Sequence, residues 1–348
     1  MISNLVPVAV DTQTASKDFW ARYHAYRRIR HAETRPDDPL QPDHLVEQRM
    51  KREDPFEFEH RYEISRDGQM MSYLIAATGR PGSPGYDSNK DFMWADASVH
   101  PDFRRRGIGR SWIPLIVELM DRHGCTTLTT GSEEESGHAF LKWLGAEGKL
   151  GGAENRLELS TVDWAMMRRW SEEGGKRSPS TKLEVYDGPL PREMWEDYCP
   201  QLTAMLNTMP WEQLDHGDIV VTPAVLAEWF DRMEMQGTVL HTMLTREPDG
   251  TISGITDMNY APYKPNMIDQ QFTGVRTDAR GRGLGKWLKA AMLLHVKEVH
   301  PELERVVTGN AHSNAPMLAI NTQMGFRQYR AGIEYQITRA RLLARPGA

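Results

Sequence analysis

The stretch Val99 to Trp112, VHPDFRRRGIGRSW, returns without a gap as Val275 to Leu288, VRTDARGRGLGKWL. Val, Asp, two Arg, two Gly and a basic residue coincide at an offset of 176, about half of the 348 residues. Solenoid repeats run ~20–50 residues, so a period this long duplicates a whole domain. Two domains are also what the length predicts at roughly 100–200 residues each.

Each half reads in the same order. In the first, VPVAVD is a strand, Ala15 to His31 and Pro42 to Arg52 are helical, and FEFEHRYEIS with GQMMSYLIAAT alternates as a hairpin. After a Gly/Pro loop come the strand FMWADASV, the glycine loop, an amphipathic helix from Ile108 to His123, the strand CTTLTT and a helix over 137–144. The second half repeats this with KLEVYD, helices from Arg192 and Pro223, strands over 239–245 and 252–260, and MIDQQFTGV. A helix from Gly285 to Val299, the strand RVVTGN and a helix from Ala315 follow. RRWSEEGGKRSPST, polar and charged, reads as a linker, giving domains at 1–167 and 182–348 joined by 168–181.

A strand, a glycine-rich turn and a helix make an anion site, because early helix N–H groups lack partners and the dipole favours negative charge. With Arg and Lys alongside, a pyrophosphate suits it. The loop is not a P-loop, since position 280 is Arg, and its G-x-G-x-G spacing is not the dinucleotide fingerprint. The net charge of −6 argues against a general nucleic-acid surface. No apolar run approaches the ~20 residues of a membrane helix, and MISNLVPVAVDTQT lacks signal-peptide regions, so a cytoplasmic location is expected. Cys125 and Cys199 make no disulfide framework and read as buried. His295, His300 and His312 lack HExxH spacing, so no metal is expected.

The pattern R-x-x-G-x-G, at Arg280 to Gly285 and Arg104 to Gly109, resembles motif A of the GCN5-related N-acetyltransferases (GNAT). The downstream family pattern is partly met in SNAPMLAINTQMGF, with Asn314, Gly325 and Phe326 in place. The resemblance covers most of both halves and implies an α+β fold: two tandem GNAT domains, each a mixed, mostly antiparallel sheet flanked by helices. The layout is similar to that of mycothiol synthases and of bacterial natural-product N-acetyltransferases. It implies acetyl-CoA as cosubstrate, a small-molecule amine as acceptor, and a monomer or homodimer. The implied cofactor contacts in the second half are Gly274, Val275, Arg276, Arg280, Gly281, Arg282, Gly283, Leu284, Gly285 and Lys286, with Asn310 and Asn314. Those in the first are Val99, Arg104, Arg105, Arg106, Gly107, Gly109 and Arg110.

Acetyl transfer to an amine needs an unprotonated amine, and a lysine-like amine has a pKa near ~10.4, so a base helps at neutral pH. The resemblance points to Asp269 as that base; its first-half counterpart is Met93. Asp257, Tyr260 and Tyr263 are alternatives as base or substrate contacts, and Trp211, Tyr263 and Lys264 are candidates for the acceptor pocket. The family's acid, a Tyr four residues before the Gly of GF, is Asn321 in the second half and Leu141 in the first. Asn321 can donate a hydrogen bond but no proton, so Tyr335 or Tyr329 stands in, or the thiolate leaves unassisted. Glu134 stands where Asn314 would contact pantetheine, so the second half is expected to be catalytic and the first to buttress it or hold CoA. The rival reading is a non-catalytic acyl-CoA sensor, and a third is protein lysine acetylation.

Overall fold

The computed structural model describes residues 5–344. Its elements are β1 (Val8–Ala9), α1 (Lys17–Thr34), α2 (Asp43–Lys51), β2 (Glu57–Arg66), β3 (Gln69–Gly79), α3 (Tyr86–Asn89), β4 (Phe92–Val99), α4 (Ile108–Ser111), α5 (Ile113–His123), β5 (Thr127–Ser132), α6 (Glu135–Leu144) and β6 (Glu147–Glu158). There follow α7 (Trp164–Arg177), β7 (Lys182–Asp187), α8 (Trp195–Leu206), α9 (Pro223–Met235), β8 (Val239–Arg246), β9 (Ile252–Tyr260), β10 (Met267–Val275), α10 (Leu284–Val299), β11 (Arg305–Ala311), α11 (Ala315–Met324), β12 (Arg327–Thr338) and α12 (Arg339–Leu343).

The chain forms two units, and they are not its two halves. The first consists of Met1–Leu150, Gln213–Asp218 and Gly332–Ala348; the second of Gly151–Glu212 and Ile219–Ala331. In the first, β1 to β5 lie in order and the last place is taken by β12, paired antiparallel to β5 from Ile333↔Ser132 to Thr338↔Thr127. In the second, β7 to β11 lie in order and the last place is taken by β6, paired antiparallel to β11 from Gly152↔Ala311 to Glu158↔Arg305. Each unit's sheet is antiparallel except for one parallel pair, β4 with β5 and β10 with β11.

Strand alternation sends side chains to both faces, and helices cover both. In the first unit Leu74 and Met93 pack with Trp112, Ile116 and Met120 on one face, while Tyr73 packs with Phe19, Trp20 and Met50 on the other. In the second, Met243, Met258 and Ile268 meet Leu288, Met292 and Val296 of α10, and Leu244 and Ile255 meet Trp195, Leu202 and Phe230 of α8 and α9. Leu288, Met292 and Val296 recur every fourth residue, which places them on one helix face.

The structure differs from the sequence reading in three places. Most of the expected linker 168–181 is helix α7, whose Met167 is fully buried and whose Gly174 lies against Trp287 of α10. The single helix expected over 108–123 breaks into α4 and α5 next to Pro114, whose ring denies a backbone N–H and crowds the carbonyl four residues back. Strands β6 and β12 were not anticipated, and each closes a sheet whose other strands come from the opposite half of the sequence.

Candidate functional site

In the second unit β10 and β11 pair in parallel from Met267↔Arg305 to Gln270↔Thr308 and no further, although β10 continues to Val275 and β11 to Ala311. Thr308 Oγ1 donates to Gln270 O at 3.2 Å at the last joined position, and beyond it the facing edges part. A bulge between Gln270 and Thr273 bends β10 at this point. Buried polar groups hold the bulge. Gln270 Nε2 donates to Asp257 O (2.7 Å), Thr256 Oγ1 (3.1 Å) and Phe272 O (3.3 Å), and Lys289 Nζ donates to Gln270 Oε1 at 3.3 Å.

β10 leads through the glycine loop into α10. Gly283 caps the helix at φ 85°, in the left-handed region that glycine enters without a Cβ penalty. Trp287 N is bonded to Gly283 O at 3.1 Å, and the amides before it in the first turn have no intrahelical partner. Sixteen unbroken residues follow, so the dipole of a full helix points at the loop. The first unit has the same parting, since β4 and β5 pair only from Phe92↔Thr127 to Trp94↔Thr129. Its loop, however, feeds the four-residue α4.

Residues 20–146 match the model of the acetyltransferase (GNAT) family. That segment, within the first unit, is matched as a GNAT domain. The fold of a tandem GNAT protein from the clavulanic acid biosynthesis pathway superposes on 96% of the chain and 98% of that protein, with a TM-score of 0.74 at 20% identity. A GCN5-related N-acetyltransferase from Sphaerobacter thermophilus superposes with a TM-score of 0.62 at 14% identity, over 99% of this chain and 96% of that one. Both units therefore share the tandem GNAT fold. In sequence the chain is similar to a mycothiol acetyltransferase of Salinispora arenicola, 30% identical over 110 residues, which are 31% of this chain and 33% of that protein. It is also similar to a mycothiol acetyltransferase of Saccharomonospora viridis, 25% identical over 248 residues, 69% of this chain and 73% of that protein. The first of these matches spans a third of the relative's length.

Within this GNAT frame the two loops differ in what their charges face. Arg280 Nε donates to Val275 O at 3.3 Å and Nη2 to Thr208 Oγ1 at 3.3 Å; Lys286 Nζ donates to Gln323 Oε1 at 2.8 Å and lies over Trp170. Neither has a carboxylate partner among the described residues. Arg276 and Arg282 do, with Asp278 at 2.6 Å and Glu247 at 2.8 Å. In the first unit the counterpart of Arg280 is neutralised: Arg104 grips Glu33 through two bonds of 2.6 and 2.8 Å and Glu134 through a third of 3.1 Å. Glu134 is also paired with Arg30. Arg105 stands at φ 61° where the second loop has Gly281, and Arg106 and Arg110 lie over the rings of Phe103 and Trp143. Gly107 caps α4 at φ 92°, as Gly283 caps α10.

Of the expected contacts, Gly274 and Val275 sit on β10 beyond the parting, and Asn310 near the end of β11. Asn310 Oδ1 accepts from Asn321 Nδ2 at 2.8 Å, and Asn314 caps α11 by accepting from Met317 N. Leu284 is a buried core residue of α10. The resemblance-based catalytic set does not come together. Asp269 lies inside the paired part of β10 and its carboxylate is engaged by Lys264. Asn321 is buried at 2% exposure, its Nδ2 committed to Asn310. Tyr335 belongs to the first unit, paired with Thr130 of β5, its hydroxyl 3.0 Å from His138 Nδ1. That placement follows from β12 crossing into the first unit's sheet. The guanidinium groups of Arg156 and Arg330 both lie over the ring of Tyr329, and Tyr260 donates to Glu302 at 2.6 Å.

Asp257 is the carboxylate the bulge presents. It accepts from Phe272 N at 2.7 Å, two residues past the last joined position of β10. Burial pushes its pKa up to about 7, against the downward pull of that amide. Lys289, on the helix side, has no carboxylate partner among the described residues, and burial pushes it down to about 7. Sequence reasoning missed Lys289 and Gln270; the one available signal was a lysine on the apolar side of an otherwise amphipathic helix.

Proposed function

We propose that the protein is an acetyl-CoA-dependent N-acetyltransferase acting on a primary amine of a small molecule, with turnover in the second unit. The observation that carries the reading is the parted β10 and β11 leading to the amide end of an unbroken α10, with Arg280 and Lys286 unneutralised beside it. The residues fit the group: the open strand edges offer donors and acceptors to the pantetheine amides, and the loop offers amides and charge to the pyrophosphate. The family match and the tandem GNAT fold support this class, and the mycothiol acetyltransferase and clavulanic acid pathway likenesses support a small-molecule acceptor.

Acetyl-CoA, when bound, supplies a thioester, so transfer forms a C–N bond and breaks the C–S bond, the electron pair leaving with sulfur. Asp257 takes the proton that the amine loses, and a carboxylate with a pKa of about 7 is half ionised near neutral pH. Asn321 cannot supply a proton to sulfur, and with a thiol pKa of about 8.5 the thiolate leaves without one.

Thiol release from acetyl-CoA with a panel of amines tests this, comparing wild type with Gly285→Glu and Gly109→Glu. At these glycines a Cβ meets only ordinary contacts, with Ile320 at 3.4 Å and Phe140 at 3.5 Å, so the added carboxylate opposes phosphate without unfolding the loop. Amine-dependent release should vanish in Gly285→Glu and persist in Gly109→Glu. Loss in Gly109→Glu alone would move the chemistry to the first unit. Saturable CoA binding with no release for any amine would favour the sensor.

A further inference from the structure

At the end of α10 away from the glycine loop, three histidines and a carboxylate from separate parts of the second unit meet. Asp187 ends β7, His241 lies opposite it on β8, His295 is on α10, and His300 follows the helix as its cap. Asp187 Oδ1 lies 2.5 Å from His241 Nδ1 and 2.8 Å from His295 Nε2. His241 Nε2 lies 2.9 Å from His300 Nε2. Beyond that ring, His300 stacks on Tyr260 with centroids 3.7 Å apart, and its Nδ1 is 3.7 Å from Glu302 Oε1.

One oxygen and two nitrogen donors, all within 4.8 Å of one another, are the makings of a metal centre. Tetrahedral zinc with bonds of about 2.0–2.1 Å sets its ligand atoms about 3.3 Å apart, so the contacts of 2.5 and 2.8 Å at Asp187 would open by about half an ångström or more to admit it. The side chains grade from buried to open: His241 is 3% exposed, His295 21% and Asp187 45%. One side of the group therefore faces solvent, which gives an ion a path in and a water a place to bind. Asp187 Oδ1 faces both ring nitrogens at hydrogen-bond distance, so one carboxylate oxygen already serves two histidines.

We propose that Asp187, His241 and His295 form a mononuclear site for a divalent transition metal, Zn2+ in the first instance, with water completing the shell and His300 setting the tautomer of His241. Two imidazoles and a carboxylate suit zinc. The proton balance closes without an added base. In the metal-free protein neutral His241 donates from Nδ1 to Asp187 and accepts at Nε2 from His300. With metal on Nδ1, His241 carries its proton on Nε2 and donates to His300, whose own proton shifts to Nδ1 on the Glu302 side. His295 likewise frees Nε2 and keeps its proton on Nδ1. A ligating histidine that donates its other N–H to a fixed acceptor is the usual arrangement around zinc. The first unit repeats the histidine pair, His60 and His123 with Nε2 atoms 2.7 Å apart. Among the described residues, though, only the second unit has the group of three ligands. One metal per chain is therefore expected. From Gly285 to His295 the helix rises about 15 Å, so the ion clips the β7–β8 edge to α10 and takes no part in acyl transfer. The site is independent of the acetyltransferase reading.

The test uses the full chain with any affinity tag removed, dialysed against a chelator and then titrated with Zn2+, with metal content read by elemental analysis and unfolding by circular dichroism. Co2+ serves as the spectroscopic probe. Wild type should retain one Zn2+ per chain, melt several degrees higher with it, and give visible d–d bands with Co2+. His295→Ala and Asp187→Asn should bind Zn2+ at least about a hundredfold more weakly and lose those bands, while His312→Ala should match wild type. Asp187→Asn keeps the shape of the acceptor, so it guards against a folding defect in the alanine variant. No retained Zn2+ and no melting shift in folded wild type, or equal binding by folded His295→Ala, would overturn the proposal.

Discussion

Replacing Asp257 with Asn should make the protein more stable and less active at once. The carboxylate is enclosed, and its pKa is raised from an ordinary 3.8 to about 7. The folded protein therefore holds a proton that the unfolded chain has already released between about pH 4 and pH 7, and stability falls as pH rises through that window. At about 1.4 kcal/mol per unit, roughly three units set a ceiling of about 4 kcal/mol above pH 7, and the partial exposure of the residue lowers it to about 2–3. Asn removes this cost and still offers an oxygen to Phe272 N. Urea unfolding of both proteins at pH 4.5 and pH 8 should show the variant ahead only at the higher pH. Removing a general base typically costs about 10²–10⁴ in rate, so turnover should fall by at least about a hundredfold at pH 7 and recover partly at high pH as the amine deprotonates unaided. A stability gain with turnover changed less than about threefold would refute Asp257 as the base. A loss of stability at pH 8 would refute the burial argument itself.

Three further substitutions probe the packing. A Cβ at Gly174 would lie 2.6 Å from Trp287 Cδ2, so Gly174→Ala should destabilise by about 1–3 kcal/mol in thermal melts, whereas in a free linker it would be neutral or slightly stabilising. Arg105 holds φ 61°, and Arg105→Gly should gain about 1 kcal/mol in the same assay. Lys289 is charged in the unfolded chain up to its ordinary 10.5 but only to about 7 when folded, so wild-type stability rises between pH 7 and pH 10 and Lys289→Met should abolish that rise.

The repeat made most of the fold legible. The hairpins, the parallel strands before and after each glycine loop, and the helices between them all follow from alternation and from the caps at Gly124 and Gly283. What stayed hidden depends on pairing across distance. Nothing local in EGKLGGAENRLE says that β6 is a strand, because five of its residues are glycine, alanine or asparagine between charges, and its partner lies about 150 residues on in β11. Helix α7 was hidden by its double glycine, which reads as flexibility in sequence and as room for Trp287 in the structure. The cofactor loop was visible because its chemistry is carried by adjacent residues. Asp257 could be named only as an alternative, because its importance comes from a bulge on the neighbouring strand.

The exchange of final strands sets up a decisive experiment on domain organisation. A fragment ending in the expected linker, residues 1–181, carries β6 but lacks β12, so its β5 loses its antiparallel neighbour. It also loses Tyr335, Ile337 and Leu342, each at most 2% exposed and packed among Met93, Trp112 and Leu128. At about 1.5–3 kcal/mol for each large buried side chain, roughly 5–9 kcal/mol is lost, against the ~5–15 kcal/mol of a whole domain. The complementary fragment 182–348 lacks β6, Leu157 and all of α7, so Trp287 loses its cover and β11 an edge. Each fragment made alone should therefore be unfolded or aggregated by circular dichroism and size exclusion. The two made together should copurify and fold, since each brings the strand the other's sheet is missing. Two separately soluble, cooperatively melting fragments would show that each half closes its own sheet with its own last strand, and the exchanged pairing of β5 with β12 and of β11 with β6 would then be wrong.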